Sequence, residues 1–462
     1  MKRIGRARSV IAYAATLAAL TTSCSTYKDQ LLSPQQPGII GPEQVGSPTA
    51  ADALRLGALA RLKTATVGTS GTETMYTMGG LLTDEWKSGD TFSQRVETDQ
   101  RTIQTSNADV QSFYSAEQQL RGAAKDAIDA LTQYLPLPKA NFAQMYWAMG
   151  LGEMHLAEAF CSGIPLGVTI NGVPSYTQPL TTAQAFAAAL AHIDSGLAFA
   201  TETDTFAVNT KYNLLLTKAR ILINQAKFGD AVALTAAVPT TYRWYVTFSL
   251  TTSDNPIWSF NTSQKRWVVG DSFDVTGVIK NALPFASSGD PRVPVLGTTL
   301  NSSLKVAFDN ATQLVSETLW GQSDWVPIIS GLDARLYEAE AKLQSNDIPG
   351  MMTILNALRA APQALTNKVN SPILPPLATP ATQTAATDLY FREKAFWTFS
   401  RGQRLGDLRR LIRQYGRTQD NVFPTGTFFK NGNPPYGSDV NFPVTTNENP
   451  NPNFHGCIDR NA

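Results

Sequence analysis

The sequence predicts a mostly α fold: a scaffold of helical hairpins, interrupted by a large, irregular, loop-rich insertion containing short strands. Three observations predict it. Ala-rich segments with apolar residues three and four positions apart recur in pairs along the chain, the spacing that lines one face of a helix. A stretch from about 242 to 325 breaks that period and holds five of the eight tryptophans, Trp244, Trp258, Trp267, Trp320 and Trp325. Finally, 389–412, LYFREKAFWTFSRGQRLGDLRRLI, reads as two helices meeting near Gly402. Phe391, Ala395, Phe396 and Phe399 lie on the first, and Leu405, Leu408, Leu411 and Ile412 on the second. Charges crowd between them, and Asp407 stands three residues from both Arg404 and Arg410, within helical reach of each. Such a set marks a junction where several helices meet.

Composition sets the bounds. The chain has 462 residues, 43% of them hydrophobic and 9% aromatic, enough for a large core. Only 16% are charged and the formal net charge is +1, against about 25% charged residues in typical domains. A near-neutral balance argues against a nucleic-acid partner, which asks for a strongly basic face.

Residues 1–23 read as a targeting segment. Lys2, Arg3, Arg6 and Arg8 precede an apolar run from Val10 to Leu20, too short to span a bilayer, which takes roughly 20 residues. Thr21-Thr22-Ser23-Cys24 follows. Small residues before a cysteine resemble the lipobox of bacterial lipoproteins, so Cys24 is the expected lipidation site and membrane attachment is expected through the lipid. An ordinary secretory signal is the competing reading. Residues 24–48, with Pro34, Pro37, Pro42 and Pro48, read as an extended tether, and 49–462 as one domain.

Helical spacing resumes at Ala50–Lys63. Within 74–133 two helices flank the loop TDEWKSGDTFSQR, the first ending near Leu82 and the second running from about Asp109 to Tyr134. Asn141 to Ala159 is helical and stops at Gly163 and Pro165. Thr182 to Ala200 follows, capped by Thr181 or Thr182. Leu214–Phe228 with Asp230–Ala237, and Leu332–Gln344 with Met351–Ala360, form hairpins. These hairpins resemble tetratricopeptide-like units, though more than 90 residues separate the last two, unlike a regular solenoid. Inside the insertion, NPIWSFN at 255–261 reads as a short strand.

The motif R-E-K-A-F-W…G-Q-R-L-G-D-L-R-R resembles the C-terminal signature of the SusD/RagB-like family of outer-membrane nutrient-binding lipoproteins. Gly402, Arg404, Asp407, Leu408, Arg409 and Arg410 match it, whereas Arg401 replaces the usual acidic residue. HLAEAFCSGIPLG, the turn Asp290-Pro291-Arg292 and the tail FPVTTNENPNPNF, with Asn447 and Glu448, resemble other parts of the same pattern. The resemblance implies a SusD-like fold and surface capture of an oligomeric nutrient. It also implies delivery to a SusC-like TonB-dependent outer-membrane transporter, and an outer-membrane location facing the exterior. A glycan is the lead ligand and a peptide the alternative; a helical-repeat envelope adaptor without a small ligand is the reading of a different class.

Nothing points to catalysis or to a cofactor. His155, His192 and His455 lack metal-ligand spacing, and His155 shares a small-residue helix face with Ala148, Gly152 and Ala159. No G-x-S-x-G elbow or phosphate-cradling loop is present, while the number of carboxylates leaves a glycosidase pair open. The basic run 392–417 reads as paired with carboxylates elsewhere rather than as an anion site. Flat aromatic faces stack on sugar rings while polar neighbours bond the hydroxyls. On that ground Asp84, Trp86, Asp90, Trp320 and Trp325 are the candidate ligand contacts, and Trp147, Trp258 and Trp397 the core tryptophans. With Cys24 lipidated, Cys161 and Cys457 remain in an oxidising compartment and are expected to pair; two buried free thiols is the alternative.

Overall fold

The computed structural model describes residues 45–69, 72–170, 173–296 and 306–462; Cys24 and the residues before it lie outside these. Helix α1 (Pro48–Thr66) opens with Ser47 as its cap, the hydroxyl accepting from Ala50 N. The segment after it differs from the two-helix expectation. α2 (Met75–Leu82) has only 8 residues, and the polar loop beyond it folds into strand β1 (Trp86–Ser88) and helix α3 (Ser93–Asp99). Two of its carboxylates, Asp84 and Asp90, find the buried cations Arg404 and Arg95, which is why the loop draws inward instead of standing in solvent.

Helices α4 (Ala108–Tyr134), α5 (Lys139–Ala159), α6 (Thr182–Phe199), α7 (Thr205–Asn224) and α8 (Phe228–Thr235) build the first half of the scaffold. α5 is its axis, packed against α1, α2, α4, α6 and α7. From Ala140 to Ala159 every residue of α5 except Tyr146 is buried, so its sequence shows no polar face. Trp147 donates from Nε1 to Thr217 Oγ1 at 3.0 Å and meets Trp244 edge-on, and it is core as expected. α6 begins with a capping box between Thr181 and Gln184. Between α5 and α6 lies the hairpin of β2 (Val168–Ile170) and β3 (Val173–Ser175).

The insertion closes on itself. β4 (Arg243–Val246) at its start pairs antiparallel with β10 (Val326–Ser330) at its end, with a register shift between Pro327 and Ile329. The stretch expected as a strand at 255–261 is instead helical: the one-turn α9 (Pro256–Trp258) runs on into a wide turn, Ser259–Ser263. Asn255 explains this, since its side chain accepts from Ile257 N and Pro256 fills the first helical position. Trp258 is half-buried there rather than core. β5 (Trp267–Val269) pairs with β1, β6 (Phe273–Asp274) with β7 (Gly277–Val278), and β8 (Val295–Leu296) with β9 (Ser316–Glu317), all antiparallel.

The scaffold resumes with α10 (Gly331–Gln344) and α11 (Ile348–Arg359), a hairpin whose first helix is boxed by Ser330 and Asp333. α12 (Gln383–Trp397) and α13 (Arg404–Tyr415) then meet across Gly402, whose φ of +64° is open to glycine at little cost. This is the expected junction, and several of its cations pair as expected with carboxylates elsewhere, while Arg413 bonds Asn224 and Arg392 lies over the Phe396 ring. Arg401 bonds Asp333 at 2.8 and 3.0 Å, Arg404 bonds Asp84, Arg410 bonds Glu340, and Arg417 bonds Asp388. Arg409 instead donates to backbone carbonyls at the end of α5, those of Ala157, Glu158 and Phe160. Asp407 holds Lys394 and Arg410 but not Arg404, which turns to Asp84 because that buried carboxylate would otherwise be unpaired. His155 is a packed helix histidine, with Nδ1 3.1 Å from Glu117 Oε1.

The tail beyond α13 is tied to α5. Cys161 and Cys457 form a disulfide with Cα atoms 5.9 Å apart, Cys161 N donates to Phe442 O, and Ile458 N donates to Ser162 O.

Candidate functional site

The pairing of β1 with β5 sets Lys87 opposite Val268, between Trp86 opposite Val269 and Ser88 opposite Trp267. Strand alternation sends Trp86 and Ser88 inward and Lys87 to the other face. β5 ends at Val269, and the next residue, Gly270, runs so close to the loop before β1 that a Cβ there would lie 2.0 Å from Asp84 O. That approach fixes the distance between the two strands and the β6–β7 hairpin that follows.

Lys87 reaches a cavity of about 180 Å³ in the insertion face. Phe273, Asp274, Thr312, Phe429 and Lys430 line it with Val268 and Val269. The β6–β7 turn presents Asp274 through its own side chain: Oδ1 accepts from Thr276 N at 2.8 Å and from Thr276 Oγ1 at 2.6 Å. Among the described residues Oδ2 is buried with no hydrogen-bond donor, and Lys87 Nζ stands 3.8 Å from it. The same ammonium sits 4.4 Å from the centre of the Phe429 ring. Burial pushes Lys87 below the usual lysine range against the pull of Asp274, Asp99 and Asp271. Burial likewise raises Asp99 to about 7, although Asp99 accepts from Ser88 N at 2.7 Å.

Lys430 links this cavity to a flat shelf beside it. Its Nζ pairs with Asp309 at 2.7 Å and donates to Asp90 O at 2.8 Å. Asp90 in turn accepts from Arg266 Nη1 at 2.6 Å. The Arg266 guanidinium carbon is 4.6 Å from the Phe92 ring centre and 3.8 Å from that of Phe308, and both rings are exposed. The arrangement offers a donor–acceptor pair in a recess, with ring faces and a shelf around it.

Most of the expected ligand contacts lie elsewhere. Asp84 is buried and takes Arg404 Nε and Nη2, both at 2.7 Å. Trp86 is 2% exposed, donates to Ser400 Oγ and packs on Phe399. Asp90 is enclosed between Arg95 and Arg266. Trp320 is 2% exposed inside a turn whose Leu319 and Trp320 amides bond Glu317 Oε2. These four are therefore corrected from ligand contacts to supports: each polar partner that suggested a wet loop is spent inside the protein. Trp325 alone is at the surface, 40% exposed, with Tyr245 at 6.1 Å, and it lines none of the cavity described above. Sequence reading missed Lys87, Asp274 and Phe429. Treating 86–88 as strand would have found the first, because alternation that buries Trp86 must turn Lys87 away. Among the described residues no group of three or more His, Cys, Asp or Glu is placed to hold a metal, and no helix is long and apolar enough to cross a membrane.

No protein-family model and no curated protein matches the sequence. Solved structures do. A SusD-like carbohydrate-binding protein from Bacteroides vulgatus aligns over 89% of this chain and 98% of its own, with a TM-score of 0.62 and 13% identity. A SusD-like carbohydrate-binding protein from Bacteroides fragilis covers 88% of this chain and 99% of its own at a TM-score of 0.60 and 12% identity. A SusD superfamily protein from Bacteroides fragilis aligns at 0.59 and 12%, over 88% of this chain and 99% of its own. The chain is thus similar to these proteins over 88–89% of its length, and it has the mostly α SusD-like fold.

Proposed function

We propose that this protein is a surface nutrient-binding lipoprotein that captures an oligosaccharide and passes it to a TonB-dependent outer-membrane transporter. The observation that carries this reading is the Lys87–Asp274 pair in the insertion cavity. A vicinal diol accepts from one group and donates to the other, so it satisfies both the ammonium and the unbonded Oδ2. Phe273 and Phe429 supply ring faces for the C–H side of a sugar. The fold is also that of proteins described as SusD-like carbohydrate-binding proteins. Binding here involves no bond cleavage, and lipidation at Cys24 with the tether 24–48 keeps the protein at the membrane.

Calorimetric titration with panels of soluble oligosaccharides and peptides tests the ligand. An oligosaccharide is expected to bind, with Lys87→Met and Asp274→Asn each weakening it by on the order of tenfold, the worth of a hydrogen bond to a charged group. Binding of peptides alone would replace the glycan reading, and cleavage of the bound ligand would overturn the non-enzymatic one. Mass spectrometry of the mature protein should find a chain that begins at an acylated Cys24. A Cys24→Ser variant that stays in the membrane fraction contradicts the anchor. Co-purification with a TonB-dependent transporter tests the partner.

A further inference from the structure

A second cavity, of about 510 Å³, lies on the helical scaffold between α4, α5 and α6. It opens over Tyr146, the one residue of α5 after Lys139 that is not buried. Ile128, Met149, Leu166 and Leu180 make its walls apolar. One charged assembly interrupts them. Glu153 is fully buried, its Oε1 accepting from Arg121 Nε at 3.0 Å and its Oε2 lying 2.6 Å from His192 Nδ1. The remaining Arg121 N–H groups go to Gln118 Oε1 and to the carbonyls of Leu166 and Gly167. Four of the five Arg121 N–H groups are thus bonded within the protein, and its charge balances that of Glu153.

His192 differs. Its side chain is 30% exposed and lines the cavity, beside Tyr146, whose ring is near-parallel at 22°. With Nδ1 committed as donor to Glu153, Nε2 is the free ring nitrogen. An imidazolium here would donate from Nε2, and Arg121, Glu153 and His192 would together carry one net positive charge. A bound carboxylate completes an alternating series of Arg121, Glu153, His192 and ligand. Among the described residues the other charges lining the cavity, Lys125 and Asp129, pair with each other.

We propose that this cavity is a binding site for a small amphiphilic carboxylate. Its apolar body lies on Met149, Ile128, Leu166 and Leu180, and its carboxylate accepts from His192 Nε2. A cavity of this volume suits a small molecule. A docked apolar helix would leave the charged assembly unmatched.

Titration of the full chain with octanoate and with octanamide, which differ in charge at nearly equal shape, tests this. Octanoate should bind one per chain, with the amide weaker by on the order of tenfold. His192→Phe should remove that preference, and Ala188→Trp, which fills the cavity from α6, should abolish binding while oligosaccharide binding persists. In the parent protein, NMR should show the ring protons of His192 and the methyl of Met149 shifting on octanoate addition, with His455 unmoved. Absence of octanoate binding overturns the proposal. So do equal affinities for acid and amide, or ligand shifts that bypass His192 and Met149.

Discussion

Asp84 and Arg404 show how the polar residues of this chain are spent. Both are buried, and two hydrogen bonds of 2.7 Å join the loop after α2 to the first turn of α13. Removing one partner strands the other charge, so Asp84→Ala should cost about 3–5 kcal/mol in urea unfolding, whereas replacing both by leucine should cost much less. Next to it, Glu85 is buried with Oε1 bonded by Ser400 N and Oε2 unbonded, and burial raises it from 4.5 to about 8. The folded chain therefore keeps a proton that the unfolded chain releases above pH 4.5. Its contribution is full below pH 4.5 and is lost as pH rises through about 8. Glu85→Gln should melt higher than the parent above pH 8, and the gap should close below 4.5; calorimetric Tm values across that window decide it. This residue scale is where sequence reading was weakest. Asp84, Trp86 and Asp90 carry the composition of a wet binding loop; Arg95 is a local partner of Asp90, but Arg404, Ser400 and Arg266 lie far along the chain where no local pattern reveals them.

Among the elements, the helices were legible because their apolar stripes and caps are local. Thr181 holds the first turn of α6 as its side chain suggests. The 255–261 stretch was misread because its apolar run suits either state, and the decision came from Asn255 and Pro256 at its start. α5 was legible as a helix but not as the axis, since burial on all sides erases amphipathic contrast. The Cys161–Cys457 link joins the end of this axis to the tail across 296 positions. Cys161→Ser with Cys457→Ser should lower stability by about 2–5 kcal/mol and free the tail first, seen as early hydrogen exchange at Ile458 N and Cys161 N.

At the scale of the whole molecule, the scaffold is one device and the insertion another. β4 and β10 zip the ends of the insertion together, so its loops can vary while the helices stay in place. The fold was readable from hairpin spacing and from the 389–412 junction, both of which record helix-on-helix packing. The cavity was not, because Lys87, Asp274 and Phe429 come from three distant segments and meet only through the β1–β5 ladder, the β6–β7 turn and the tail. Nutrient capture as proposed above depends on this cavity. A crystal structure of the protein with an oligosaccharide that binds in solution tests it most directly. A sugar ring is expected between Phe273 and Phe429, with adjacent hydroxyls on Lys87 Nζ and Asp274 Oδ2. A sugar seated over Trp325 and Tyr245, with the cavity still holding only water, would contradict it.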